Sequence, residues 1–120
     1  PLDGGMVALQ RLIPRNIAAG LMMTGRMMSA AEAQAAGLAN AVVPPENLDA
    51  EVDAWVADIL KSAPLSVKAI KATLRRTAHL SPMDARAVQT PELIAALVSE
   101  DSEEGVAAFR EKRAPVWRGR

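Results

Sequence analysis

The sequence has no cysteine, a single histidine, no surplus of either charge and no long apolar run, and each shortage removes a class of function. Without cysteine there is no disulfide framework, no thiol nucleophile and no cysteine-ligated zinc. His79 alone cannot make a multi-histidine metal site, so the expected metal complement is none. The 14 Lys and Arg balance the 14 Asp and Glu, which leaves no net field to draw nucleic acid or an acidic lipid surface. The longest apolar stretch, Ile17 to Met23, is broken by Gly20 and falls far short of the roughly 18 to 20 residues that cross a bilayer. A reducing, cytoplasmic setting is therefore the expectation.

What is present is helix-forming and thin in core. In 120 residues there are 24 alanines, which favour helix but bury little surface each, and 28 Leu, Ile, Val and Phe side chains to build an interior. The chain opens on Pro1-Leu2-Asp3-Gly4-Gly5, a turn-forming stretch without an initiator Met. The expectation is a chain that begins in the middle of a larger folded unit.

Local signals divide the chain into helices. Val7, Leu9, Leu12 and Ile13 suit a short helix stopped by Pro14; Ile17, Leu21 and Met22 mark a second one ending at Thr24-Gly25. Ser29-Ala30-Ala31-Glu32 is a capping box, and its short helix ends at Gly37. Leu38 to Val43, closed by Pro44-Pro45, reads as the single strand of the chain, and a lone strand needs a partner from elsewhere to satisfy its backbone groups. Leu48, Val52, Trp55, Val56, Ile59 and Leu60 then fall on one face of a 3.6-residue period. Pro64 starts a helix with Val67, Ile70 and Leu74 inward and Lys68, Lys71, Arg75 and Arg76 on a solvated basic face. Ser81-Pro82-Met83-Asp84 caps the next, Pro91 interrupts it, and Ser99 caps a last helix that runs from acids to Arg110 and Lys112 before an extended tail.

The search for reactive groups returns little. His79 reads as a solvated helix-end residue rather than a general base. Glu100, Asp101, Glu103 and Glu104 read as surface acids complementing a helix dipole rather than paired catalytic carboxylates. Met22, Met23, Met27 and Met28 read as adaptable core.

The motifs taken in order are more specific than any one alone. Gly4-Gly5, Leu12-Ile13-Pro14-Arg15, Met23-Thr24-Gly25-Arg26, Ser29-Ala30-Ala31-Glu32-Ala33, Gly37-Leu38-Ala39-Asn40 and Val42-Val43-Pro44 are followed by Ala63-Pro64-Leu65-Ser66-Val67 with Lys71. Then come Ser99-Glu100-Asp101, Glu104-Gly105, Ala108-Phe109 and Glu111-Lys112-Arg113-Ala114-Pro115. Together they resemble the second half of the crotonase (enoyl-CoA hydratase/isomerase) superfamily over essentially the whole chain. The resemblance implies a predominantly α chain with one short β-strand. Residues 1–62 would be the C-terminal part of a ββα spiral, and residues 63–120 a helical trimerisation and coenzyme A lid region.

It further implies that two catalytic glutamates and both oxyanion-hole amides lie upstream of Pro1, so that the partners of this chain are that upstream half, further copies in a trimer or dimer of trimers, and an acyl-CoA substrate. Coenzyme A enters as part of the substrate; no separate cofactor is implied. The Leu2 backbone, and less directly Asp3, would stand in the active-site loop. Lys112 would meet a phosphate of the coenzyme, Phe109 would wall its adenine or pantetheine, and Leu93 takes a position where relatives place an aromatic. Helix-terminus complementation by Lys112 and core packing by Phe109 are the plainer alternatives.

The activity implied is addition of water to an enoyl-CoA, as in fatty acid β-oxidation. Ile13-Pro14-Arg15-Asn16-Ile17-Ala18 and the Ala114-Pro115-Val116-Trp117-Arg118-Gly119-Arg120 ending resemble carnitinyl-CoA dehydratase-type members, and an isomerase is the next alternative. A non-enzymatic helical interaction module is the reading from another class.

Overall fold

The computed structural model describes residues 4–120; the loop candidates Leu2 and Asp3 lie outside the described residues. Among the described residues all regular structure is helical: α1 (Gly5–Leu12), α2 (Arg15–Thr24), α3 (Ala30–Ala35), α4 (Leu48–Leu60), α5 (Pro64–Thr77), α6 (Pro82–Ala87), α7 (Pro91–Leu97) and α8 (Glu100–Glu111), with a 3-10 turn at Pro45–Asn47 ahead of α4. It divides into two compact units, Pro1–Val52 and Asp53–Arg120. No described helix is long and apolar enough to cross a membrane.

The helix ends follow from local chemistry. Gly25 takes φ 66° and its N–H closes α2 on the Leu21 carbonyl, a left-handed stop open to glycine without a Cβ penalty. In the capping box the Ser29 hydroxyl accepts from the Glu32 N–H at 3.2 Å while a Glu32 oxygen accepts from the Ser29 N–H at 2.9 Å. The bond from the Ser29 N–H foremost, then one the Ser29 hydroxyl donates to Glu32 Oε2 at 2.9 Å, and the Arg26 guanidinium hold Glu32 below the usual carboxylate range. Ser81, Thr90 and Ser99 cap α6, α7 and α8 in the same manner, each accepting from the N–H three residues on. The helix that begins at Pro82 is interrupted before Pro91, which is the first residue of α7, where its missing N–H costs nothing. Each cap contributes on the order of 1 kcal/mol.

Residues 38–43 form no strand. Ala39, Ala41 and Val43 are half-buried and Leu38, Asn40 and Val42 exposed, the two-residue alternation of a strand, but no described segment supplies the ladder hydrogen bonds. The alternation is a property of the sequence, whereas the strand needs a neighbour.

In the first unit α1 packs on α2, with Ile13 and Ala18 buried. In the second, α5 lies along α7 and α7 touches α8. The inward residues of α5 are Ala69 and Ala72, not Ile70 and Leu74, which are exposed. Small side chains let α5 and α7 approach closely, and the larger ones are displaced to the rim of the contact. Arg76 ties the pair with two bonds to Glu92, Nη1 to Oε2 at 2.9 Å and Nη2 to Oε1 at 3.2 Å. The apolar face of α4 finds no cover: Leu48, Val52, Val56, Ile59 and Leu60 are all exposed. Met23 and Met27 are exposed as well, while Met22 and Met28 are half-buried.

Candidate functional site

Two open grooves of the second unit meet the description of a binding surface. The first, about 420 Å³, lies between α5 and α7 and is walled by Ile70, Thr73, Leu74, Leu93 and Leu97. It exists because the α5–α7 contact is made by alanines and leaves the long side chains at its edge. The second, about 590 Å³, runs along α8 and is walled by Ala63, Val106, Phe109, Arg110 and Trp117. Ser66 and Ser102 line both.

Of the three residues expected at a coenzyme, Leu93 thus stands in one groove and Phe109 in the adjoining one, while Lys112 lines neither. Phe109 is 86% exposed, which removes the alternative that it packs in a core of these helices. An unsupported aromatic ring on a helix surface is a ready contact for a flat or apolar ligand group.

Lys112 ends α8 in the left-handed region, at φ 54° and ψ 40°, with its N–H directed at the carbonyls of Ala108 and Phe109. It is the one described residue other than glycine with positive φ. Glycine would hold that backbone more cheaply by about 1 kcal/mol. The Lys112 ammonium is exposed and forms no ion pair with a described residue. The next residue is fully engaged: Arg113 Nη2 meets Glu104 Oε2 at 2.9 Å and its Nε meets Glu111 Oε2 at 2.6 Å. Hydrogen bonds from Arg113, then from the Val116 N–H, hold Glu104 down at about 2.

His79 lies exposed just beyond the end of α5, as a solvated helix-end residue would. The acidic cluster does not behave as four surface acids. Glu100, Glu103 and Glu104 face solvent in whole or part, but Asp101 is only 2% exposed. Its burial depends on residues 17 and 18 positions later, a covering that no local pattern announces.

Comparison with known proteins gives one consistent result. The family model described as enoyl-CoA hydratase/isomerase matches residues 1–120. A carnitinyl-CoA dehydratase of Salmonella typhi is 38% identical over 124 residues, an alignment covering 100% of this chain and 48% of that protein. Among solved structures, enoyl-CoA hydratase from Bacillus anthracis superposes with a TM-score of 0.91 at 30% identity, covering 100% of this chain and 46% of that one. Enoyl-CoA hydratase from Mycobacterium tuberculosis H37Rv gives 0.87 at 33% identity, covering 98% and 46%. The chain spans about half the length of the curated relatives it matches.

Proposed function

The chain belongs to the enoyl-CoA hydratase/isomerase family, and from that premise we propose that it works as the C-terminal portion of an enzyme that adds water across the 2,3 double bond of an enoyl-CoA thioester. The observation that carries this reading is the match over residues 1–120, together with helices whose exposed ring and ammonium, Phe109 and Lys112, close α8. In such a reaction paired backbone amides polarise the thioester carbonyl as negative charge develops on it, and carboxyl groups pass a proton to and from water. Those groups belong to the half of the enzyme that precedes this chain. This chain contributes scaffold and the surface that receives the coenzyme, in a cytoplasmic setting.

Dehydration of a carnitinyl-CoA is the second reading, favoured by the name of the Salmonella typhi relative. It is the same chemistry run towards the alkene on a cationic acyl group, and a comparison of crotonyl-CoA with carnitinyl-CoA as substrates separates the two.

The experiment for the coenzyme role uses Lys112→Ala in the complete assembly. Loss of a charge-assisted bond to a phosphate should raise KM for an acyl-CoA by roughly 5- to 30-fold, the equivalent of about 1 to 2 kcal/mol. The effect should shrink at high salt and be absent for the acyl-pantetheine, which lacks the nucleotide. Equal effects on both thioesters would take Lys112 out of the binding site. Lys112→Gly serves as the control for fold: it should be at least as stable as the wild type, because glycine suits the left-handed backbone, and yet share the KM defect.

The reading also places self-association on the helices between Pro64 and Lys112, as a trimer or dimer of trimers. Exposed Ile70, Leu74, Leu97 and Val106 beside small alanines suit a permanent interface between copies. Light scattering should find three or six copies in the complete assembly, and a single copy at micromolar concentration would contradict it.

A further inference from the structure

The last seven residues form neither helix nor strand, so their backbone donors must find partners outside regular structure. They find them on one helix. Asp101, in the first turn of α8, accepts from the Arg118 N–H at 2.6 Å on one oxygen and from the Gly119 N–H at 2.9 Å on the other. Its own N–H returns a bond of 3.3 Å to the Arg120 carbonyl. One turn along, Glu104 accepts from the Val116 N–H at 2.8 Å. Two of the donors thus converge on a carboxylate that is 2% exposed, with the positive end of the helix dipole beside it. A carboxylate so removed from water is tolerable only while those bonds exist, and only the tail supplies them. The ion pairs of Arg118 and Arg120 with Glu100, at 3.7 and 3.3 Å, are solvent-exposed and contribute little by comparison.

Between these anchors Trp117 reaches the opposite way. Its Nε1–H donates to the Lys61 carbonyl at 2.8 Å, at the end of α4, while its ring runs along Gly105 of α8 and lines the groove that holds Phe109. A Cβ on Gly105 would meet the ring at 3.4 Å, an ordinary contact, so the ring rests against the helix without being wedged into it.

We propose that residues 114–120 form a clasp, latched by Asp101 and bridged by Trp117, that fixes α8 to the turn between α4 and α5 and so sets the position of the Phe109 face. The clasp needs no ligand and stands independently of the acyl-CoA reading. Its two ends are separable. Asp101→Asn keeps the side-chain shape but turns an NH2 towards one of the two backbone donors, which opens the latch. Trp117→Phe keeps a ring against Gly105 but removes the bond to Lys61, which opens the bridge alone.

The test is residue-resolved amide hydrogen exchange on the complete assembly under native conditions. Asp101→Asn should speed exchange at Arg118 and Gly119 by about tenfold or more, as expected for the loss of a bond to a charged acceptor, and should also speed it along residues 105–112. Trp117→Phe should leave Arg118 and Gly119 slow while speeding Lys61 and Ser62, whose N–H groups close the last turn of α4. Unchanged exchange at Arg118 and Gly119 in Asp101→Asn would overturn the latch. Acceleration confined to those two amides, or no change at Lys61 and Ser62 in Trp117→Phe, would overturn the fixing of α8. Should Asp101→Asn not fold, the Trp117→Phe result decides.

Discussion

Residues 1–120 alone are expected to hydrate crotonyl-CoA no faster than buffer. Enzymes of ordinary competence accelerate their reactions by at least about 10⁶-fold, and the groups that supply this acceleration need a carboxyl poised to give up and take back a proton. The carboxyl groups that this structure displaces are displaced the other way. Glu32, Glu92 and Glu104 are all lowered: the first by Ser29, the second by its own backbone N–H and Arg76, and the third, to about 2, by Arg113. Each is held ionised by a helix end or an arginine. Asp101 spends both oxygens on the tail. His79 is exposed beyond a helix end, without a carboxylate partner among the described residues. The measurement is loss of enoyl absorbance with the purified chain, and turnover at enzyme rates would place chemistry in this half after all.

The second expected result is that the isolated chain does not unfold as a cooperative monomer. Its buried apolar side chains among the described residues are Ile13 and the alanines at 18, 63, 69, 72 and 108. Fully burying an Ile is worth about 1.5 to 3 kcal/mol and an alanine a good deal less, while ordering each residue costs on the order of 1 to 2 kcal/mol of backbone entropy. Meanwhile Val52, Val56, Ile59 and Leu60 leave one side of α4 in water. A helix with a correct apolar period and nothing on that face is built to be covered. Expressed alone, the chain should bind an apolar dye, associate with concentration and melt broadly by circular dichroism. A sharp, concentration-independent transition of a monomer would show that these helices suffice by themselves.

The parts of the fold that were legible in the sequence are those decided within four residues. Ser29 with Glu32, Ser81 with Pro82, Ser99 with its acidic first turn, and Gly25 after Thr24 each set a helix end where the structure has one, because a cap is a bond between near neighbours. Orientation was less legible. Ile70 and Leu74 have the period of a buried face, yet it is Ala69 and Ala72 that meet α7, since periodicity gives the arc but not how closely the next helix approaches. Phe109, Met23 and Met27 are apolar side chains that composition assigns to an interior, and the structure leaves them outside.

Asp101 is the reverse case, an acid among acids whose burial depends on a segment at the far end of the chain. Nothing within its own helix distinguishes it from Glu100 or Glu103. Residues 38–43 show the same limit, with the alternation of a strand written locally and no described segment pairing with it. Within the candidate site, the resemblance named Leu93, Phe109 and Lys112; the first two line grooves of the second unit and Lys112 lines neither. The left-handed backbone of Lys112 and the wall provided by Trp117 required coordinates.

Assaying the complete assembly, this chain together with the upstream half proposed for it, beside residues 1–120 alone tests most directly whether the chain is one portion of an enzyme acting on acyl-CoA thioesters. Hydration of crotonyl-CoA or dehydration of carnitinyl-CoA is expected of the assembly, at a turnover on the order of 1 to 10³ per second, and buffer-level rates of the isolated chain. A folded assembly that leaves both thioesters unchanged would contradict that expectation.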